Sequence, residues 1–125
     1  MIALKIVYIA NIVVAGWIGI TSLFDPKKAG ATVFQNAYPY SEVIRLVGSF
    51  WWAIFLLSVV GLFYPRKMAL VLLFQLIYKG SWVLFVLLPA LWHKQPYPTG
   101  MGTFFIVWCA VLPFVIPWKD IFPIS

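Results

Sequence analysis

A chain of 125 residues that is 64% hydrophobic and only 10% charged lies far from the roughly 25% charged content of a water-soluble domain, which excludes an ordinary soluble globule. The formal charge of +6 does not imply a nucleic-acid partner. The basic residues stand singly or in pairs at the ends of apolar runs, where they meet lipid headgroups, and form no stripe to follow a phosphate backbone.

The first apolar run extends over residues 2–24. It is too long for a signal peptide and is followed by Asp25-Pro26 rather than a small-residue cleavage pattern, so it reads as a membrane helix. It carries Asn11, and Gly16 and Gly19 suit close approach of a neighbouring helix. From Asp25 to Ser41 the chain loses its apolar periodicity and gains prolines, a glycine and the tyrosines Tyr38 and Tyr40. This longest connection is expected to lie along the membrane surface. Ser41 is placed to cap the second helix, with Glu42 in its first turn.

The second run, residues 43–64, contains Arg45, Ser49, Trp51, Trp52 and Ser58. Pro65 ends it, and the short Tyr64-Pro65-Arg66-Lys67 connection predicts that the second and third helices are antiparallel neighbours. The third run, residues 68–91, carries Lys79 almost at its centre. A lysine at that depth is a functional-site hypothesis by default. After the polar stretch from His93 to Gly100, the fourth run, residues 101–118, contains Pro113 and Pro117, which predict a kinked or loosened end. The remaining tail is too short to form an element alone. The expected architecture is a single all-α domain: an integral membrane four-helix bundle with short loops.

Four spans put both termini and the Arg66-Lys67 turn on one side. Lys5, Arg66, Lys67 and Lys119 there slightly outweigh Lys27, Lys28 and Lys94 opposite, with Arg45 just inside a helix end. The expectation is a bacterial inner-membrane protein with cytoplasmic termini.

Helical spacing decides which polar residues share a face. Gln75, Lys79, Trp82, Val86 and His93 do so on the third helix; Glu42, Arg45, Ser49 and Trp52 on the second; Asn11, Ala15, Ser22 and Asp25 on the first. Turned away from lipid, these stripes would line an internal crevice open toward the long connection and closed beneath Lys79. Its expected ligand-binding residues are Lys79, Arg45, Glu42, Trp52, Trp82, Gln75 and Asn11. Glu42 stands about 16 Å from the middle of its helix, beyond the ~6 Å reach of a lysine, and Asp25 and Asp120 also lie at helix ends. Lys79 is therefore neutral and desolvated, hydrated and bonded to Asn11 or a serine, neutralised by something outside this chain, or displaced to snorkel toward a headgroup.

Phe24-Asp25-Pro26, Arg45-Leu46-Val47-Gly48 and Lys94-Gln95-Pro96-Tyr97 resemble the pattern of the DoxX-like superfamily of small four-helix membrane proteins. In that group a first helix ends near a proline, an Arg-x-x-Gly opens the second, and a short polar loop precedes the last. The resemblance implies a compact four-helix bundle and an association with a quinone-linked thiosulfate oxidation complex. It carries over no catalytic residue.

With one histidine, one cysteine and no close carboxylate pair, acid–base, nucleophilic and metal chemistry have few players, and a non-enzymatic role is expected. Cys109, the lone cysteine, cannot form an internal disulfide. The preferred expectation is a protein that binds a lipid- or quinone-like amphiphile in the crevice, or an accessory subunit of a membrane complex. The alternative is a small oligomeric transporter or channel, acting as a homodimer or with a partner membrane protein. No cofactor is specified.

Overall fold

The computed structural model describes residues 2–39 and 41–123, which are mostly helical with no strand among them. Met1, Tyr40 and the last two residues of the tail lie outside this range. Three helical runs, Ile2–Phe24, Val43–Phe63 and Ala69–Trp92, are long and apolar enough to cross a membrane.

Helix α1 (Ile2–Phe24) ends where Pro26 withholds an N–H and Asp25 leaves helical geometry at φ −140° and ψ 67°. The Asp25 carboxylate then accepts a hydrogen bond from the Lys28 N–H at 3.4 Å and caps a second helix, α2 (Pro26–Thr32), which has proline in its first turn. The long connection is thus partly helical, a point its missing apolar periodicity concealed. At the start of α3 (Val43–Phe63), the Ser41 hydroxyl accepts from the Val43 N–H at 3.2 Å, and Glu42 occupies the cap position without a side-chain cap.

The third long run comprises α4 (Ala69–Trp82), a π-helical turn over Val83–Leu87 and α5 (Leu88–Trp92). It passes through Gly80 and Ser81 unbroken, and the Leu88 N–H reaches back five residues to the Val83 carbonyl. Pro89 explains this widened turn. In a regular α-helix its ring would strike the carbonyl of Phe85, and an extra residue in the turn moves that carbonyl aside. The insertion rotates the helix face by about 100°. Leu87, 2% exposed, and Ala90 point inward, while Val86 is 39% exposed. The polar stripe read from regular spacing therefore stops at Trp82, and His93 lies exposed beyond it.

Helix α6 (Thr99–Val115) has 17 residues and includes Pro113. It ends two residues before Pro117, where Ile116 becomes extended at φ −59° and ψ 126°, and α7 (Trp118–Ile121) follows as a separate turn. The fourth run is thus interrupted at Pro117 rather than helical to residue 118.

Glycine decides which helices meet backbone to backbone. A Cβ on Gly19 would lie 2.8 Å from the Trp52 nitrogen, and one on Gly48 would lie 2.8 Å from the Leu23 nitrogen. One on Gly61 would come within 2.6 Å of the Tyr8 ring. α1 and α3 consequently form the closest pair, and α4 packs on α6. α3 and α4, expected to be close neighbours because their connection is short, have few close backbone approaches. A large side-chain pair bridges them instead: the Trp51 indole donates to the Tyr78 hydroxyl at 3.3 Å.

Two apolar clusters result. One, toward the long connection, contains Ile18, Phe34, Ile44, Trp51, Met101 and Phe105; the other, toward the termini, contains Leu4, Tyr8, Leu72, Leu112 and Ile116. The outer surface is apolar too, with Val13, Phe63, Ile77, Phe85 and Phe114 exposed.

Candidate functional site

Between the two clusters lies a polar layer. Asn11 on α1 and Gln75 on α4 form a reciprocal amide pair: Asn11 Nδ2 donates to Gln75 Oε1 at 2.7 Å, and Gln75 Nε2 donates to Asn11 Oδ1 at 3.3 Å. The Trp108 indole on α6 also donates to Asn11 Oδ1, at 3.2 Å. Three helices are joined by one buried carboxamide, and both lone pairs of its oxygen are used.

One turn beyond Gln75, Lys79 is only 3% exposed. It points inward rather than toward a headgroup, so the snorkelling alternative does not describe its placement. Its Nζ faces the rings of Phe105, Tyr78 and Phe104, 4.3, 5.2 and 5.3 Å from their centroids. These are cation–π distances, and a desolvated contact of this kind contributes about 2 kcal/mol to holding a charged lysine. The three acids are engaged elsewhere. Asp25 caps α2, Glu42 pairs with Arg45 at 3.8 Å, and Asp120 pairs with Arg66 at 3.5 Å. Their placement at helix ends excludes a direct internal ion pair, as the spacing argument anticipated.

Two spaces lie in this region, and Lys79 borders the smaller one only. The smaller is a chamber of about 10 Å³ bordered by Asn11, Trp51, Gln75, Tyr78, Lys79 and Phe104. That is room for about one water molecule. The larger is a groove of about 210 Å³ between α1, α2 and α6, lined mainly by apolar groups including Trp17, Val33, Met101 and Phe105, with Thr32 and Gln35 at its edge. Val14, Ile18 and Phe104 border both spaces.

Gln35 ties the groove's outer end together. Its side-chain oxygen accepts from the Gly100 N–H at 2.9 Å and from the Thr99 hydroxyl at 3.0 Å, supplying the cap that Pro98 does not provide to α6. Gln35 and Asn36 adopt φ values of 52° and 57°, a left-handed backbone region that asparagine tolerates but that is costly for glutamine.

Of the residues expected to line a crevice, Asn11, Gln75 and Lys79 come together, and Trp82 stacks edge-on against Phe105 at 5.3 Å. The second-helix stripe does not join them. Glu42 and Arg45 are exposed at the end of α3, where Arg45 Nε donates to the Leu23 carbonyl at 3.3 Å and satisfies an otherwise open end of α1. Trp52 packs between Phe24 and Phe55, while its neighbour Trp51 takes the inward position. The physical reason is the glycine contact. Seating Gly48 and Gly61 against α1 fixes the rotation of α3 and turns Ile44, Trp51, Ile54 and Ser58 inward.

Trp51, Tyr78, Phe104, Phe105 and Trp108 also surround the polar layer but were not selected from the sequence. Tyr78 adjoins Lys79, and Phe104 and Trp108 are spaced to share a helix face. Aromatic residues also stand on the outside of these helices, among them Phe74, Phe85 and Phe114, so an aromatic residue alone does not separate the two sides.

No family model, curated protein or solved structure matches the chain. Among the described residues no group of histidine, cysteine and acidic side chains is arranged to hold a metal ion.

Proposed function

We propose that this is a four-helix integral membrane protein whose role is to hold a lipid- or quinone-like amphiphile, alone or as an accessory subunit of a membrane complex. The amphiphile's apolar part occupies the groove between α1, α2 and α6, and its polar end is drawn toward Lys79. One observation carries this reading: the groove and the lysine chamber share Val14, Ile18 and Phe104 as walls, so a single layer of side chains separates the groove's apolar surface from the buried lysine, and a ligand in the groove reaches Lys79 by displacing the Phe104 ring. The apolar exterior and three membrane-length runs support insertion in a bilayer, with α6 as a shorter fourth span. Cytoplasmic termini in a bacterial inner membrane and membership of the DoxX-like superfamily belong to the same proposal.

Native mass spectrometry from mild detergent tests it. The wild-type protein is expected to retain an amphiphile that both Lys79→Met and the groove-filling Val14→Trp lose. A clean apoprotein in all three, or equal retention by all three, would overturn the reading.

A small oligomeric transporter or channel is the second reading, and the mid-span polar layer of Asn11, Gln75 and Lys79 favours it. Gly16 and Gly19, which suit close approach of another helix, meet Phe55 and the Trp52 backbone of the same chain. The proline-containing face of α6, where Phe114 is 91% exposed, remains for that contact.

A further inference from the structure

The chamber beside Lys79 has an unequal supply of hydrogen-bonding groups. Its acceptors are fewer than its donors: Asn11 Oδ1 takes two bonds and is filled, while Gln75 Oε1, with one from Asn11, and the Tyr78 oxygen, with one from Trp51, keep one lone pair each. The Lys79 amine makes no hydrogen bond to any described residue, its ring contacts supply no lone pair, and the one titratable group that acts on it electrostatically is the Cys109 thiol, which does not hydrogen-bond it. A second N–H on the Asn11 amide adds to this excess of donors. A lysine amine without a hydrogen-bond partner, nine-tenths or more buried, therefore borders a donor-rich space large enough for about one atom-sized group.

We propose that this chamber is a binding site for one negatively charged acceptor atom, which neutralises Lys79 from outside the chain. The volume excludes a phosphate or sulfate, whose four oxygens require several times the space of one water. Two sources fit: a free halide ion, or one oxygen of a carboxylate whose alkyl tail lies in the adjoining groove past Phe104. Both satisfy the lysine through a charge-assisted hydrogen bond, and neither needs another acidic residue. The free-ion source does not depend on the amphiphile reading; the carboxylate source rests on it and names its ligand class.

Thermal unfolding of the detergent-solubilised protein at fixed pH and ionic strength tests the site and separates the sources. The salts are sodium chloride, sodium bromide and sodium gluconate, the last with or without dodecanoate or dodecanol. At tenfold excess over Kd the binding anion is expected to raise the wild-type midpoint by about 4 °C relative to gluconate. Lys79→Met should abolish that rise. A response to chloride and bromide assigns the free ion, and a response to dodecanoate but not dodecanol assigns the carboxylate. Chlorine NMR line broadening by the wild-type protein, relieved by excess bromide or dodecanoate, reads the same site without a variant. Midpoints alike in all five conditions, together with unbroadened chlorine lines, would overturn the proposal whether or not an amphiphile is retained in the groove.

Discussion

The α1–α3 pair and the α4–α6 pair are built from similarly apolar sequence but pack by different means. In the first, glycines remove the side-chain layer, and the two backbones approach until a single added Cβ would strike a neighbouring backbone nitrogen. In the second, aromatic rings and long polar chains set the spacing, and the third long run incorporates a π turn before Pro89. Close approach leaves no room for chemistry. The candidate site lies where α4 and α6 face α1 across large side chains, which leave a chamber and a groove between them.

Glycine substitution should break this contrast most strongly. Gly48→Ala is expected to destabilise the protein by about 3 kcal/mol or more, because the new methyl meets the Leu23 backbone and Ser22. Gly80→Ala on α4 should have the opposite sign: nothing lies within 4 Å of its added Cβ, and alanine exceeds glycine in helix propensity by about 1 kcal/mol. Unfolding midpoints in mixed detergent, followed by tryptophan fluorescence, compare the two directly. A shared sign would mean that the backbone contact does not distinguish the pairs.

Between these effects falls the polar layer. Asn11→Leu leaves a buried Gln75 amide and the Trp108 indole without their partner, and is expected to cost about 2 kcal/mol. Adding Gln75→Leu should recover part of that loss, since an apolar pair strands fewer donors. The double-mutant cycle measures how far this amide pair, rather than apolar contact alone, joins α1 to α4. Additive losses would remove the pair from that role.

The rotation of α3 shows why helix existence was easier to read than helix faces. Its apolar length follows directly from residues 43–63, but spacing Glu42, Arg45, Ser49 and Trp52 on one side does not say which side turns inward. In a soluble protein water would draw that stripe outward. In an apolar surrounding both faces are acceptable to hydrophobic side chains, and the glycine contact with α1 decides. Arg45 then serves the end of α1 through the Leu23 carbonyl, and Trp51 rather than Trp52 borders the chamber.

Lys79 presents the opposite case. The distance of every acid from mid-helix argued against a simple internal ion pair unless the third helix slid or broke at Gly80-Ser81; the helix runs unbroken there and the acids pair at the helix ends. Its ring neighbours on α6 could not be read in the same way, because Phe104 and Phe105 lie more than twenty residues further along the chain. The Gln35 cap on α6 is similarly remote in sequence: it bridges 65 positions to Gly100.

By itself the sequence determined the helical class, the long apolar runs, three of which the structure shows at membrane-crossing length where four spans were expected, and the placement of the acids at helix ends away from Lys79. Each is a property of residue type and distance along one chain. Only the tertiary structure decided which faces meet, where α4 changes phase, and which aromatic groups enclose the lysine. Those outcomes depend on contact between helices: glycines select the closest pair, Pro89 accompanies the widened turn, and larger side chains leave the remaining space for the site.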